Sequence, residues 1–228
     1  MILLPITGIA VLDHDRDRGL SRAVERDNDL TAHDPRIQAV LCPFIPFGGV
    51  VVDGGAFIGD HTVAYAEAVG PTGHVWAFEC SVAALECLAR NTAPFPQVQI
   101  VTAALGDRPR ACAVEQNWVS ESCNMISPID VDEGIPMIPL DAFTFDRLDY
   151  MKLDLEGYEL RALHGATQQI ARHRPIVVCE SGTQLERYGD THADLLAFMT
   201  ARGYTAEMLP FQHAYHDVFD VLFRPQTG

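Results

Sequence analysis

From residue 48 onward, short apolar runs alternate with stretches of helical spacing, and this alternation leaves few folds open. Gly49–Val52 is apolar, and Asp60–Val69 sets Val63, Ala66, Ala68 and Val69 at helical intervals. His74–Phe78 and Val98–Ala104 read as strands, with Ser81–Asn91 between them as a helix that Ser81 caps. Tyr150–Leu155 is a strand, and Tyr158–His173 a helix with Leu160, Leu163, Ala166 and Ile170 on one face. Pro175–Cys179 is again a strand, and Asp190–Arg202 a helix closed by Gly203. Strands that are apolar on both faces and alternate with helices form a parallel sheet covered on both sides. Tyr204–Leu209 and Val218–Phe223 are joined by a link too short for a crossover, so they pair antiparallel. The fold class expected is α/β, a doubly wound, mostly parallel sheet with a reversed last strand.

The 228 residues suit a single domain, 1–228. Two regions fall outside the alternation: residues 1–47, expected as an N-terminal cap, and the insertion 108–145 between the third and fourth core strands, expected to shape a substrate site. The formal charge is −15 and Lys152 is the only lysine, which excludes the clustered cations that a nucleic acid or an anionic membrane demands. No run approaches the roughly 20 apolar residues that cross a bilayer, and no secretory signal is visible, so a cytoplasmic location is expected. Six cysteines show no C-x-x-C pair and several lie in apolar runs, so disulfides are not expected.

In a doubly wound sheet, ligands bind beyond the carboxyl ends of the strands, where strand order reverses. The first core strand ends in Asp53, followed by Gly54-Gly55-Ala56-Phe57-Ile58-Gly59. Glycines allow the tight turn and close backbone approach to a ligand. Glu79, at the end of the next strand, offers two oxygens to the hydroxyls of a ribose. A dinucleotide site would need G-x-G-x-x-G, but Ala56 stands where the second glycine would fall, and the Asp53 charge repels a pyrophosphate. The same charge attracts the sulfonium and amino groups of S-adenosylmethionine (SAM). The spacing Asp53, Gly55, Gly59 therefore favours SAM.

Four blocks carry a family resemblance over roughly residues 45–182. They are Val51–Gly59 with Thr62 following; Val75-Trp76-Ala77-Phe78-Glu79; Ala104-Leu105-Gly106-Asp107; and Met151-Lys152-Leu153-Asp154-Leu155-Glu156-Gly157-Tyr158-Glu159. Together they resemble the FkbM family of class I SAM-dependent methyltransferases. The resemblance implies a Rossmann-like, seven-stranded sheet, with Asp53 and Gly55 at the methionine end of SAM, Glu79 at the ribose and Ala103–Leu105 at the adenine. The cofactor set it implies is Asp53, Gly55, Ala56, Gly59, Thr62, Glu79, Cys80, Ala103, Ala104 and Leu105. Cys80 departs from a more usual proline, and Gly54 from a more usual branched residue.

In this fold the transferable methyl lies beside the end of the fourth strand, near Asp154, Glu156 and, on the fifth, Glu180. These three are the catalytic candidates. One could act as general base, several could hold a divalent cation, or they could cap the following helix. Sequence places no histidine beside them, so no metal is expected. Glu159 is expected to cap, Lys152 to pair with a carboxylate, and His164 to sit at a helix end. The reaction expected is O-methylation of a small-molecule hydroxyl. Alternatives are N-methylation of a small amine and a non-catalytic nucleotide-binding module.

Overall fold

The computed structural model describes residues 2–3, 10–11, 40–115, 125–129, 134–209 and 217–226. Seven strands form one sheet in the order β12-β13-β11-β10-β3-β4-β5. They are β3 (Val50–Gly54), β4 (His74–Glu79), β5 (Val98–Thr102), β10 (Tyr150–Leu153), β11 (Ile176–Gly182), β12 (Tyr204–Met208) and β13 (Val218–Pro225). β13 runs antiparallel to both β11 and β12, while the β3, β4, β5, β10 and β11 pairings are parallel. The reversed last strand is therefore as expected. Strand order changes direction between β3 and β10, which are neighbours in register from Val51–Tyr150 to Gly54–Leu153. That crevice is the switch point of the sheet.

The pleat sorts the residues to two faces. On one, Val51, Val75, Tyr150, Val178 and Leu222 pack with Tyr65, Ala66 and Val69 of helix α1 (Asp60–Val69). Helix α2 (Val82–Thr92) covers the same face nearer the edge, where Leu88 packs with Ala56 and Ala77. On the other, Val52, Phe78, Met151, Leu153, Val177, Cys179 and Val221 pack against Leu160, Leu163, Ile170, Leu195 and Met199. These belong to α3 (Glu159–His164), α4 (Thr167–His173) and α5 (His192–Thr200).

Three expectations need correction. The helix expected over Tyr158–His173 is two helices. The backbone breaks at Gly165, whose missing side chain lets it press against the carbonyl of Gly106; a Cβ there would overlap that oxygen. Asp141, from a 3-10 turn at Leu140–Ala142, accepts from the N–H groups of Gln168 and Gln169 at 3.0 Å and so starts α4. The strand expected over Val98–Ala104 is likewise two strands, β5 and the short β6 (Ala104–Leu105), which turns into a second sheet.

That second sheet is the third correction. The region 108–145 holds β7 (Arg110–Glu115), β8 (Met125–Ile129) and β9 (Ile135–Ile138), arranged as β6-β9-β7-β8. Of the expected cap, the described residues form the two-residue strands β1 (Ile2–Leu3) and β2 (Ala10–Val11), paired antiparallel, and a 3-10 turn at Cys42–Phe44. Trp118, Ser120, Ser122 and Asn124 lie outside the described residues. Among the described residues no helix is long and apolar enough to cross a membrane. Among the described residues, Cys42, Cys80, Cys112 and Cys179 are free thiols.

Candidate active site

A cavity, open on one side, lies at the carboxyl end of the sheet beside the switch point. Of the expected residues, Gly55, Glu79, Cys80, Ala103, Ala104, Leu105, Asp154 and Glu156 line it. Phe57, Phe78, Ser81, Leu155, Val114 and Ile126 line it as well, none of them singled out from sequence. The first four are neighbours of residues that were. Val114 and Ile126 come from β7 and β8 of the insertion, which was expected to shape a substrate site without any of its residues being singled out.

The turn after β3 forms because both Gly55 and Ala56 donate to the carbonyl of Phe78 at 3.0 Å. Gly55 has φ +81, and a Cβ on it would overlap the carbonyl of Asp154. Only glycine therefore lets the turn lie against the end of β10. Phe57 follows with φ 47, and Glu156, across the cavity, has φ 54; both are left-handed residues without the freedom of glycine. Such strain persists only where surrounding contacts hold it, and it collects at functional sites.

Glu79 is held by three backbone donors. Its Oε2 accepts from Phe57 N–H at 2.7 Å, and its Oε1 from Cys80 and Ser81 N–H at 2.7 and 2.6 Å. This fixes the carboxylate at the cavity wall, at the junction of the β3 turn and the start of α2. Cys80 beside it is not a reactive thiol: burial, and then the Glu79 charge, push it up to about 12.

Asp53, Ala56, Gly59, Thr62 and Glu180 are not among the residues that line the cavity. Asp53 is 2% exposed and accepts from the Thr62 hydroxyl at 2.6 Å, tying β3 to α1 beneath the turn. Burial raises its carboxyl to about 6, although the Thr62 hydrogen bond works the other way. Gly59, with φ 86, packs where a side chain would strike Leu88. These residues shape the turn from below.

The structure brings the three expected carboxylates together. Asp154, Glu156 and Glu180 each present an oxygen within 4.8 Å of the other two. Glu180 is 7% exposed; burial, then the charges of Asp154, Glu156 and Glu159, push its carboxyl well above the usual carboxylate range. Like charges so close cannot all be held ionised without cost. Lys152 stands at their base, 1% exposed, with Nζ 3.1 Å from Asp154 Oδ2 and 3.1 Å from Asp220 Oδ1. Burial alone would depress its ammonium, but Asp154, Asp220 and Glu180 hold it well above its ordinary value.

His164 sits at a helix end as expected, whereas Glu159, expected to cap the helix, serves the loop before it, and α3 has no side-chain cap. Glu159 Oε1 accepts from Leu155 and Gly157 N–H at 2.7 and 3.2 Å, clasping the loop that carries Glu156. Burial raises the Glu159 carboxyl to about 7. His164 ends α3 and sits edge-on to Phe198.

No curated protein matches the chain by sequence. Among solved structures, the chain is similar to the methyltransferase FkbM from Methylobacillus flagellatus KT at 20% identity and TM-score 0.55, over 77% of this chain and 43% of that one. The chain thus spans less than half the length of that relative. It is similar to an rRNA methylase from Streptococcus thermophilus at 12% identity and TM-score 0.55, over 84% and 95% of the two chains. It is also similar to a fibrillarin from Aeropyrum pernix, solved with natively bound S-adenosyl-L-methionine, at 8% identity and TM-score 0.54, over 83% and 74%. At such identities the likeness shows the fold, a class I methyltransferase sheet. The methyltransferase FkbM domain profile matches residues 53–206, most of the chain, and on that match the protein belongs to the FkbM methyltransferase family.

Proposed function

We propose that the protein transfers a methyl group from SAM to the hydroxyl oxygen of a small-molecule acceptor. One observation carries the reading: a single cavity is lined both by Glu79 and by Asp154 and Glu156. The residues present fit SAM. The turn at Gly55 leaves no room for a side chain, Glu79 is fixed where it can accept from a vicinal diol, and the acidic end suits a sulfonium. When bound, SAM supplies a methyl carbon made electrophilic by its positive sulfur.

The chain's own residues then have two tasks. The first is alignment, since displacement at a methyl depends mainly on holding the acceptor oxygen in line and excluding water. Glu79 and the turn would fix one side, while Lys152, anchored on Asp220, orients Asp154 on the other. The second task is to take the acceptor's proton. The cluster of Asp154, Glu156 and Glu180 supplies carboxylates for it, and Asp154 and Glu156 are the two that line the cavity. The acceptor's proton would pass to one of these two carboxylates as its oxygen gains the methyl. The reading assigns no divalent ion to the cluster, because Lys152 already places one positive charge at its base.

An RNA acceptor is disfavoured, although an rRNA methylase shares the fold: a chain of net charge −15 with one lysine offers no phosphate track. The second reading is a small amine acceptor, favoured by three carboxylates within 4.8 Å. Calorimetry with S-adenosylhomocysteine (SAH) tests the cofactor site. Gly55→Ala should abolish binding, and Glu79→Ala should weaken it by roughly tenfold or more, the scale of a lost charged hydrogen bond. Normal binding by both folded variants overturns the assignment. Turnover of SAM against a panel of alcohols and amines then decides between oxygen and nitrogen, and turnover of neither supports a non-catalytic module.

A further inference from the structure

The insertion contributes side chains to the cavity itself. Val114 of β7 and Ile126 of β8 are cross-strand partners, and both line the cavity that Ala103, Ala104 and Leu105 line. Ile126 is 8% exposed, and Val114 packs with Ala104, Cys112, Met137 and Tyr158 in one apolar cluster that Cys80 also touches. The small residues Ala103 and Ala104 leave space at the strand end, and the hairpin supplies branched apolar side chains to the same space. The outer positions of β7, Ala113 and Glu115, are exposed, so the hairpin shows one apolar face inward.

The hairpin is also fastened. The Tyr188 hydroxyl donates to the Ile126 carbonyl at 2.8 Å, and Tyr188 meets Tyr158 edge-on at 4.8 Å. Arg110, at the base of β7, donates to the Tyr158 hydroxyl at 2.8 Å and pairs with Asp107. Tyr158 directly follows the Asp154–Gly157 loop. The hairpin is thereby tied to the loop that carries the acidic residues.

We propose that the β7–β8 hairpin is the wall of the cofactor's base pocket, with Val114 and Ile126 as the residues that select a flat, apolar heterocycle and Tyr188 as the positioning residue that holds Ile126 against it. The inference rests on reading the cavity as the SAM site. The chemistry points to a purine: an apolar slot lies next to a fixed carboxylate suited to a ribose, and a planar ring joined to a diol fills both. The Val114–Ile126 pair then sets affinity for the base and ribose half of the cofactor, independently of its amino-acid end.

Calorimetry with SAH and with 5′-methylthioadenosine tests this without an acceptor. Val114→Ala/Ile126→Ala should weaken both ligands by the same factor, about tenfold, as expected for several methyl groups withdrawn from a buried contact. Val114→Ser alone, at a half-buried position, should give a smaller shift of the same sign if the double variant fails to fold. Tyr188→Phe should weaken both ligands equally while leaving circular dichroism unchanged. Unchanged affinity for both ligands in the folded variants overturns the proposal. So does a loss confined to SAH, which would place the hairpin at the amino-acid end. If the unmodified protein binds neither ligand, the cofactor reading itself falls, which is visible before any variant is made.

Discussion

Asp53 and Glu159 show how burial converts a carboxylate into a pH-dependent contribution to stability. Asp53 has an ordinary value of 3.8 and is raised to about 6, chiefly by burial. The fold therefore prefers it protonated. Its contribution is full below about pH 3.8 and is lost as pH rises through about 6. The shift is worth roughly 3 kcal/mol. Asp53→Asn, whose amide oxygen can still accept from Thr62, should flatten the fall in Tm between pH 4 and 6.5 and raise Tm at pH 7.5. An unchanged slope across that window would show that Asp53 is not the group responsible. Glu159, raised to about 7, acts in the same sense over a higher window. At this scale the sequence was informative about identity. Asp53, Glu79, Asp154 and Glu180 were all legible from their places at strand ends, because a strand–turn–helix unit delivers its last residue to the sheet's edge. Which way each side chain turns was not legible. Asp53 faces α1 and is tied to Thr62, because the pleat puts it on the same face as Val51.

Core strands and their helices were readable because apolar periodicity is a local property. Their interruptions were not. The break between α3 and α4 depends on Gly106 pressing against Gly165 and on Asp141 supplying a cap from 27 residues away. A helix start made by a distant residue leaves no local signature. Asp141→Ala removes that cap, leaving the N–H groups of Gln168 and Gln169 without their acceptor. It should lower stability by about 1 kcal/mol in urea unfolding, with the slope against urea unchanged. A loss near zero would show that α4 is started by packing alone. The small sheet β6-β9-β7-β8 was missed for a related reason. Its strands are short, Pro128 and Pro136 interrupt their alternation, and they find partners only across the insertion.

At the scale of the molecule, the cavity joins four parts of the chain: the β3 turn with the end of β4, the β5–β6 segment, the β10 loop, and the hairpin from the insertion. A ligand that bridges them stabilises the native state by mass action, about 2.7 kcal/mol at a hundred times its Kd. For a chain of this length, saturating SAH should raise Tm by roughly 5–10 °C. No shift at all would mean that the cavity does not bind it. The sequence by itself determined the parallel sheet, its reversed last strand, the glycine-rich turn after the first core strand, and the carboxylates at the strand ends, because each follows from local patterning and strand polarity. Only the tertiary structure decided that Lys152 sits buried between Asp154 and Asp220, that Glu180 joins Asp154 and Glu156 within 4.8 Å, and that Val114 and Ile126 close the cavity. Those contacts link residues far apart in the chain, and their geometry is set by how sheet, helices and insertion pack.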